Sequence, residues 1–134
     1  MKYLLDTCAL VWMLERPDKL SSKAAELIKN PRSEVFVSTI SLWELSLKQA
    51  IGKLAIGRID LEELDVVLTD DLFIGIIGLS EQESLSFYRL PFFAKHRDPF
   101  DRMLVWQAIK RDMALISSDP ALESYRQCGL RLIW

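Results

Sequence analysis

The feature that most constrains this chain is a set of short apolar runs with helix-forming segments between them. The runs cover residues 2–5, 35–37, 73–79, 113–117 and 130–134. Such runs, bounded by polar turn residues, predict buried strands. The spacing of apolar residues and the helix-capping signals predict helices over 21–29, 39–54, 61–69, 80–90 and 98–111, and Asp119-Pro120 opens another. Strands that alternate with helices predict an α/β fold, a three-layer sandwich with a mostly parallel central sheet between helices.

Composition narrows the chemistry available to this fold. The 134 residues are half apolar, and the net charge is only −2, which predicts one compact, soluble domain. The N-terminal apolar run is interrupted by Asp6, so we expect neither a signal peptide nor a membrane span, and a cytoplasmic protein. One histidine and two distant cysteines exclude a Cys/His zinc site built from the chain's own ligands. We expect both cysteines, Cys8 and Cys128, to be reduced core residues.

Acidic residues lie near the predicted carboxyl ends of the strands. Asp6 ends the first strand, Asp119 follows the strand over 113–117, and Glu44 lies in the helix after the strand over 35–37. Asp101 is in the first turn of the helix that precedes residues 113–117. Ligands of parallel α/β sheets bind beyond the carboxyl ends of the strands. We therefore expect these four carboxylates to meet at one edge of the sheet.

Each acid also has a structural explanation. Asp98 and Asp119 each precede a proline, which is typical of a helix N-cap followed by proline at the first helical position. Glu44 fits a capping box with Ser41 or an ion pair with Lys48 one turn later. No single acid therefore establishes a function.

The helical positions of two of these acids favour a functional interpretation. Both carboxylates are expected on apolar helix faces. Glu44 shares a stripe of its helix with Ile40, Leu47 and Ile51, and Asp101 shares one with Leu104, Val105 and Ala108. A charge on such a face is costly to bury unless it is paired or binds a metal. An all-oxygen ligand set suits Mg²⁺ or Mn²⁺.

A carboxylate-bound divalent ion is suited to phosphodiester hydrolysis by a metal-activated water. One or two ions would be held by four predicted catalytic and metal-binding residues, Asp6, Glu44, Asp101 and Asp119. Three neighbouring hydroxyls could orient waters or a phosphate, namely Thr7, Ser38 and Ser117, although helix capping is an alternative role for each.

Four motifs in order, LLDT, STISLWEL, HRDPFDRMLVWQA and LISSD, resemble the PIN domain, and most closely the VapC-like toxins of bacterial and archaeal toxin–antitoxin pairs. The resemblance implies a single PIN-like domain over residues 1–134. It places the family's four acids on Asp6, Glu44, Asp101 and Asp119, and makes Asp98 a further candidate metal ligand. It further implies Mg²⁺- or Mn²⁺-dependent RNA cleavage, usually by a homodimer that an antitoxin inhibits. Cys8 departs from the small polar residue that often follows the first acid and threonine.

The acidic isoelectric point of about 5.4 contrasts with the basic surface expected of an RNA-binding protein. Two segments, 46–58 and 89–97, contain basic residues and no acids. The candidate RNA-binding residues are Lys48, Lys53, Arg97 and Arg102, with Phe92 and Phe93 available for base stacking. A solvated loop and an ordinary helix face are the alternatives. We expect His96 to be a surface or capping residue.

Other functional classes remain open. A catalytically silent PIN-like binding or scaffold protein would share the fold, but such copies normally lose acids. A phosphoacceptor receiver module would have two adjacent acids after the first strand, whereas Asp6 stands alone. A haloacid-dehalogenase-type phosphatase would have an acid two positions later, where this chain has Cys8.

Overall fold

A computed structural model describes residues 1–54, 56–93 and 96–134. Its central sheet consists of β1 (Lys2–Leu5), β2 (Glu34–Ser38), β3 (Gly75–Ile77), β4 (Ala114–Ile116) and β5 (Arg131–Ile133). The strand order is β3-β2-β1-β4-β5, and every neighbouring pair runs parallel. The predicted parallel sheet is confirmed.

The α-helices are α1 (Thr7–Glu15), α2 (Ser22–Lys29), α3 (Thr39–Ala50), α4 (Leu64–Val66), α5 (Glu81–Ser86) and α6 (Pro99–Lys110). Short 3₁₀ helices cover Pro17–Lys19, Leu61–Glu63 and Phe87–Arg89, a longer one covers Pro120–Cys128, and a π-helical turn covers Val67–Asp71. Within the described ranges, no helix is both long and apolar enough to cross a bilayer.

Three helix predictions need correction in detail. The helix predicted over 39–54, with fraying expected at Gly52, ends at Ala50, because Gly52 adopts a left-handed conformation, with φ of 73°, that stops the helix. Residues 61–69 form 3₁₀, α and π turns in succession rather than one α-helix. The segment after Asp119 begins with the predicted cap and proline, but it winds as a 3₁₀ helix.

Helices cover both faces of the sheet. Adjacent leucines of β1 point to opposite faces, as alternation in a strand requires. Leu4 packs in a core with Leu104 of α6 and Tyr125 of the long 3₁₀ helix, whereas Leu5 packs in a second core with Leu10 of α1. Full burial of each leucine contributes roughly 1.5–3 kcal/mol. The predicted three-layer arrangement is confirmed.

The order in which the chain adds strands to the sheet reverses between β1 and β4. The chain passes from β1 to β2 on one side, while β4 and β5 lie on the other. The Asp6 amide donates to the Ile116 carbonyl at 3.1 Å, and the Ser117 amide donates to the Ile133 carbonyl at 3.1 Å. These bonds extend the strand ladders by one residue. They place Asp6 and Ser117 at neighbouring strand ends, at the switch point where α/β sheets bind ligands.

The cysteines do not occupy the core. Cys8 is exposed in the first turn of α1, and Cys128 is half-buried at the end of the long 3₁₀ helix. Both are free thiols, as expected, but their predicted core positions are wrong. In α1 the inward positions of the first turn go to Thr7 and Ala9, which leaves Cys8 on the outer side.

Candidate active site

Asp6 is the N-cap of α1 and lies at the carboxyl end of β1. It is only 7% exposed, and one carboxylate oxygen accepts a hydrogen bond from the Ala9 amide at 2.7 Å. Burial raises the pKa of Asp6 above its ordinary value, although bonds from Ser117 and Ala9 oppose the rise. Repulsion from Asp119 and Glu44 raises this pKa further. The structure therefore brings these three acids within electrostatic range of one another.

Glu44 lies on α3 and is 8% exposed. Its Oε2 pairs with the Lys48 ammonium at 3.2 Å, the ion pair considered from the sequence, whereas the Ser41 hydroxyl accepts instead from Thr7 at 3.0 Å. Oε1 of Glu44 is buried and has no hydrogen-bond partner in the described part of the chain. An unpartnered buried carboxylate oxygen is costly, so this atom fits a position that faces a cation.

The stripe predicted for Glu44 is wrong in part. Leu47 is 43% exposed and Ile51 is 66% exposed, whereas Ile40 and Leu45 are buried. Ile40, a member of the predicted stripe, is buried as expected, but the buried face continues through Leu45 and is rotated away from Leu47 and Ile51. Glu44 lies on that buried face because it is adjacent to Leu45 and one turn after Ile40.

Asp101 lies in the first turn of α6, and its side chain is 26% exposed. Burial raises its pKa to about 6, repulsion from Asp98 adds to the rise, and a contact with His96 opposes it. Glu44 and Asp6 also raise this pKa. Asp101 is therefore electrostatically linked to the acids that follow β1 and lie on α3.

A histidine joins the acids at this edge. Donor atoms of His96, Asp101 and Asp119 all lie within 4.8 Å of one another. The His96 side chain is only 10% exposed, so its expected role as a surface or capping residue is wrong. The sequence signal for this placement is its position two residues before Asp98, the cap of α6.

Asp98 and Asp119 are both N-caps, as the Asp-Pro pairs indicated. Asp98 is exposed and accepts from the Phe100 amide at 2.9 Å. Asp119 accepts from the Ala121 amide at 2.9 Å. Asp119 also belongs to the group with His96, whereas Asp98 does not. The structure thus gives Asp98 a capping position at the border of the group that contains Asp101 and Asp119.

The acidic edge is defined as Asp6, Glu44, Asp101, Asp119 and His96, residues with the donor types of a metal site. Among the described residues, donor atoms of His96, Asp101 and Asp119 lie within 4.8 Å of one another, whereas Asp6 and Glu44 lie outside that group. Burial and repulsion from neighbouring acids raise the pKa values of Asp6 and Asp101. Two of its polar atoms, on Glu44 and His96, are buried without hydrogen-bond partners among the residues that are described. A divalent cation would relieve the repulsion and satisfy such atoms. The residues present therefore fit Mg²⁺ or Mn²⁺.

The three candidate hydroxyl groups have internal partners. Thr7 donates to Ser41 and links α1 to α3. Ser117 bonds to the Asp6 carboxylate and accepts from the Asp119 amide at 3.1 Å. Thr7 and Ser117 thereby position the acidic edge.

Ser38 occupies a different environment. Its hydroxyl accepts from the Ile40 amide at 3.1 Å and donates to Gln107 at 2.6 Å. Both interactions are internal, and Ser38 is fully buried. This placement argues against its predicted role in positioning water or substrate.

The candidate RNA-binding residues divide into exposed and buried ones. Lys53 and Arg97 are exposed, and Lys48 borders Glu44. Arg102 is 4% exposed and donates to the carbonyls of Leu90 and Pro91 at 2.8 and 3.1 Å. Its burial argues against the predicted contact with RNA, because its donors are used to fix an internal loop.

The two candidate stacking residues, Phe92 and Phe93, also differ in exposure. Phe92 is 59% exposed, and its ring lies under the guanidinium groups of Arg97 and Arg102, whose carbons are 4.8 and 3.9 Å from the ring centroid. Phe93 instead packs edge-on against Tyr125 at 5.1 Å. Phe92 thus remains accessible for stacking. Residues 94–95 of the basic segment 89–97 and residue 55 of the basic segment 46–58 lie outside the described residues.

The fold and the acidic edge together define a class: α/β proteins with carboxylates gathered at the switch point of a parallel sheet. The sequence profile of the PIN domain matches residues 3–127. The chain belongs to the PIN domain family. No curated protein sequence matches it significantly.

Solved structures match over nearly the whole chain. VapBC2 from Rickettsia felis, bound to a DNA fragment from its promoter, matches with a TM-score of 0.67 and 19% identity, over 99% of this chain and 98% of that chain. VapBC-1 from nontypeable Haemophilus influenzae matches with a TM-score of 0.65 and 20% identity, over 99% and 97%. DNA-bound VapBC from Salmonella typhimurium matches with a TM-score of 0.63 and 18% identity, over 99% and 97%. At these identities the likeness shows a shared fold.

Proposed function

We propose that this protein is a metal-dependent endoribonuclease of the VapC type, which hydrolyses RNA phosphodiester bonds. The observation that carries the proposal is the set of carboxylates at the switch point of the sheet, in which Asp6 and Glu44 are buried and Asp101 and Asp119 are half-buried. Burial and repulsion from neighbouring acids raise the pKa values of Asp6 and Asp101. These groups destabilise the protein unless a cation joins them. Their retention in a PIN-domain chain therefore supports catalysis rather than a silent scaffold.

Each acid has a distinct position toward the proposed ion. Asp6, Asp101 and Asp119 each present a carboxylate to the edge, and Asp6 and Asp119 each use one oxygen for helix capping. Glu44 directs the unpartnered Oε1 inward while Lys48 holds Oε2. Bound Mg²⁺ or Mn²⁺ would neutralise phosphate oxygens and lower the pKa of a water ligand.

Residues around the edge support binding of a polyanion. Lys48 places an ammonium beside Glu44, and Arg97 and Lys53 are exposed. Phe92 offers an accessible ring held beneath Arg97. Cations beside an aromatic platform are the elements that bind single strands without strong sequence preference. Single-stranded RNA is therefore the substrate class we propose.

We further propose that the protein is a homodimeric toxin held inactive by a cognate antitoxin in the cytoplasm, where its RNA substrate is available. Its fold is shared with VapBC structures over nearly its full length. The outer side of α3 exposes Trp43, Leu47 and Ile51. A group of large exposed apolar side chains supports a protein interface.

The test is cleavage of single-stranded RNA by the purified protein. Activity should require Mg²⁺ or Mn²⁺, stop with a chelator, and fall at least about 100-fold in Asp6→Asn and Glu44→Gln. Asp60→Asn is a matched control for Asp6→Asn, because Asp60 also caps a helical turn but is exposed. Full activity in Asp6→Asn with the control also active would contradict the proposal and favour the silent binding protein.

A further inference from the structure

His96 occupies an unusual position for a histidine with no assigned role. Its side chain is 10% exposed, and Nε2 lies 3.5 Å from Oδ2 of Asp101. Nε2 is buried and makes no hydrogen bond within the described ranges. A separation of 3.5 Å is too long for a well-formed N–H···O bond. The ring nitrogen therefore faces the carboxylates without being satisfied by them.

The spacing of donor atoms around His96 suits one small cation. Donor atoms of His96, Asp101 and Asp119 lie within 4.8 Å of one another. Bonds from such a cation to oxygen or nitrogen are about 2.1 Å, so two of its ligands lie roughly 3–4.3 Å apart. The three side chains need only small rotations to satisfy this limit.

The other ring nitrogen of His96, Nδ1, makes a hydrogen bond to a buried side chain. Nδ1 of His96 lies 2.8 Å from the hydroxyl of Tyr125, which is fully buried. Nε of Arg102 donates to the same hydroxyl at 3.3 Å. A hydroxyl oxygen has two acceptor sites, so it can accept from both Arg102 and Nδ1–H. In that tautomer Nε2 carries the lone pair, and it faces Oδ2 of Asp101 at 3.5 Å.

This support is typical of metal-binding histidines, whose second ring nitrogen is normally fixed by a hydrogen bond. Arg102 is itself anchored by the carbonyls of Leu90 and Pro91. The chain from Arg102 through Tyr125 to His96 therefore gives the imidazole one orientation. It also explains why an arginine is buried at this point of α6.

We propose that His96 is a nitrogen ligand of the cation held by Asp101 and Asp119, and that this ligand makes the site select Mn²⁺ over Mg²⁺. Mn²⁺, a transition metal, accepts an imidazole nitrogen beside its oxygen ligands more readily than Mg²⁺, which prefers oxygen ligands throughout. The inference rests on the metal requirement of the proposed function. It does not depend on which nucleic acid is cut.

The decisive experiment is pulsed electron paramagnetic resonance of Mn²⁺ added to the tag-free protein. Because the chain has a single histidine, an imidazole ¹⁴N coupling identifies His96 without mutation. Labelling histidine with ¹⁵N should change the coupling to that of the new isotope. Mn²⁺ that binds without this coupling would overturn the inference while leaving the proposed nuclease function intact. Absence of Mn²⁺ binding and of Mg²⁺ binding would overturn both.

Calorimetry with each metal alone provides a second measurement. In His96→Gln the Mn²⁺ affinity should fall at least tenfold, whereas the Mg²⁺ affinity should change less than about threefold. Arg32→Gln is the control, since Arg32 is exposed just before β2 and far from the acidic edge, and it should leave both affinities unchanged. Tyr125→Phe should weaken Mn²⁺ binding by an intermediate factor. Unchanged Mn²⁺ affinity in a folded His96→Gln protein would contradict the inference.

Discussion

Glu83 and Asp6 are both buried carboxylates near helix N-termini, 4% and 7% exposed. Their pKa values are nevertheless shifted in opposite directions. Glu83 accepts from Nε and Nη2 of Arg111 at 2.6 and 2.9 Å and from the Ser80 amide at 2.9 Å. Although burial opposes it, the bonds from Arg111 and Ser80 lower the pKa of Glu83 to about 2. Asp6 lacks a cationic partner at bonding distance among the described residues, and its pKa is raised.

The difference shows that burial does not by itself distinguish a structural acid from a functional one. The Glu83 cluster, defined as Ser80, Glu83, Gln107 and Arg111, satisfies its carboxylate from within the protein. The acidic edge gathers further negative charge around Asp6 instead. Lys48 pairs with Glu44, but among the described residues no lysine or arginine forms an ion pair with Asp6, Asp101 or Asp119, so their neutralisation must come from outside the chain. The two regions should consequently respond in opposite ways when a carboxylate is removed.

The largest expected effect is on stability, at the Glu83 cluster. Glu83→Gln should lower the free energy of unfolding by about 3 kcal/mol at pH 7, since it leaves Arg111 without its partner. Because the folded pKa is about 2 and the ordinary value is 4.5, this stabilisation is complete above pH 4.5 and is lost as the pH falls toward 2. Urea unfolding across this pH range measures it.

Glu81→Gln is the control for this substitution, because Glu81 lies on the same helix but is exposed. The control should differ from the wild type by less than about 0.5 kcal/mol. Folded Glu83→Gln protein should cleave RNA at the wild-type rate. Lost cleavage with retained stability would contradict the division between the two regions.

At the acidic edge we expect activity to fall while stability is retained. Asp119→Asn should reduce the rate of RNA cleavage about 100-fold, which corresponds to about 2.7 kcal/mol of activation free energy. Asparagine keeps a carbonyl oxygen that can accept from the Ala121 amide, so the fold should be retained. Initial cleavage rates and a thermal melt of the same sample test both parts. A melting temperature that falls in step with activity would show that Asp119 is mainly a structural cap.

A smaller effect, about 1–3 kcal/mol, is expected from Asp101→Asn in the presence of a chelator. The folded pKa of Asp101 is about 6, above its ordinary value, so its contribution to stability is largest below pH 3.8 and is lost as the pH rises through 6. The metal-free variant should therefore become more stable than the wild type as the pH rises from 4 to 7. Equal stability at both pH values would show that Asp101 ionises without strain.

The smallest effect should come from Arg97, which lies beside the edge rather than in it. Arg97→Ala should weaken RNA binding only a few-fold and reduce the slope of log affinity against log salt concentration by about 1. Arg32→Ala is the control, because Arg32 is exposed just before β2, at the opposite edge of the sheet. Similar salt slopes for the two variants would exclude a guiding role for Arg97.

The fold was predictable because local patterns agreed with the tertiary arrangement. Each apolar run overlaps one strand, with both ends within two residues, and Asp98-Pro99 marked the start of α6. Gly52 indicated where α3 frays, but the sequence there does not show that the helix stops completely at a left-handed turn. The winding of residues 120–128 as a 3₁₀ helix also depends on packing, which places Leu122 and Tyr125 in the core.

The candidate site was only partly predictable. The acids followed from strand ends and helix caps, because both are local. His96 and Arg102 were misjudged because their roles depend on Tyr125, which is distant in sequence but contacts both. Ser38 was misjudged for the same reason, since its partner Gln107 belongs to another helix. Contacts between distant elements decide whether a side chain faces the site, the core or the surface. A local sequence pattern does not contain these contacts.

The capping bonds of Asp6, Asp98 and Asp119 have a consequence for how this surface can change. Each of these acids holds the first turn of a helix through one oxygen, so its replacement by an apolar residue would cost about 1 kcal/mol of stability, independent of any metal. Asparagine or serine would retain the cap. A copy of this domain released from selection for its chemistry would therefore accumulate neutral capping residues here, so that helix starts would persist after the charges had gone.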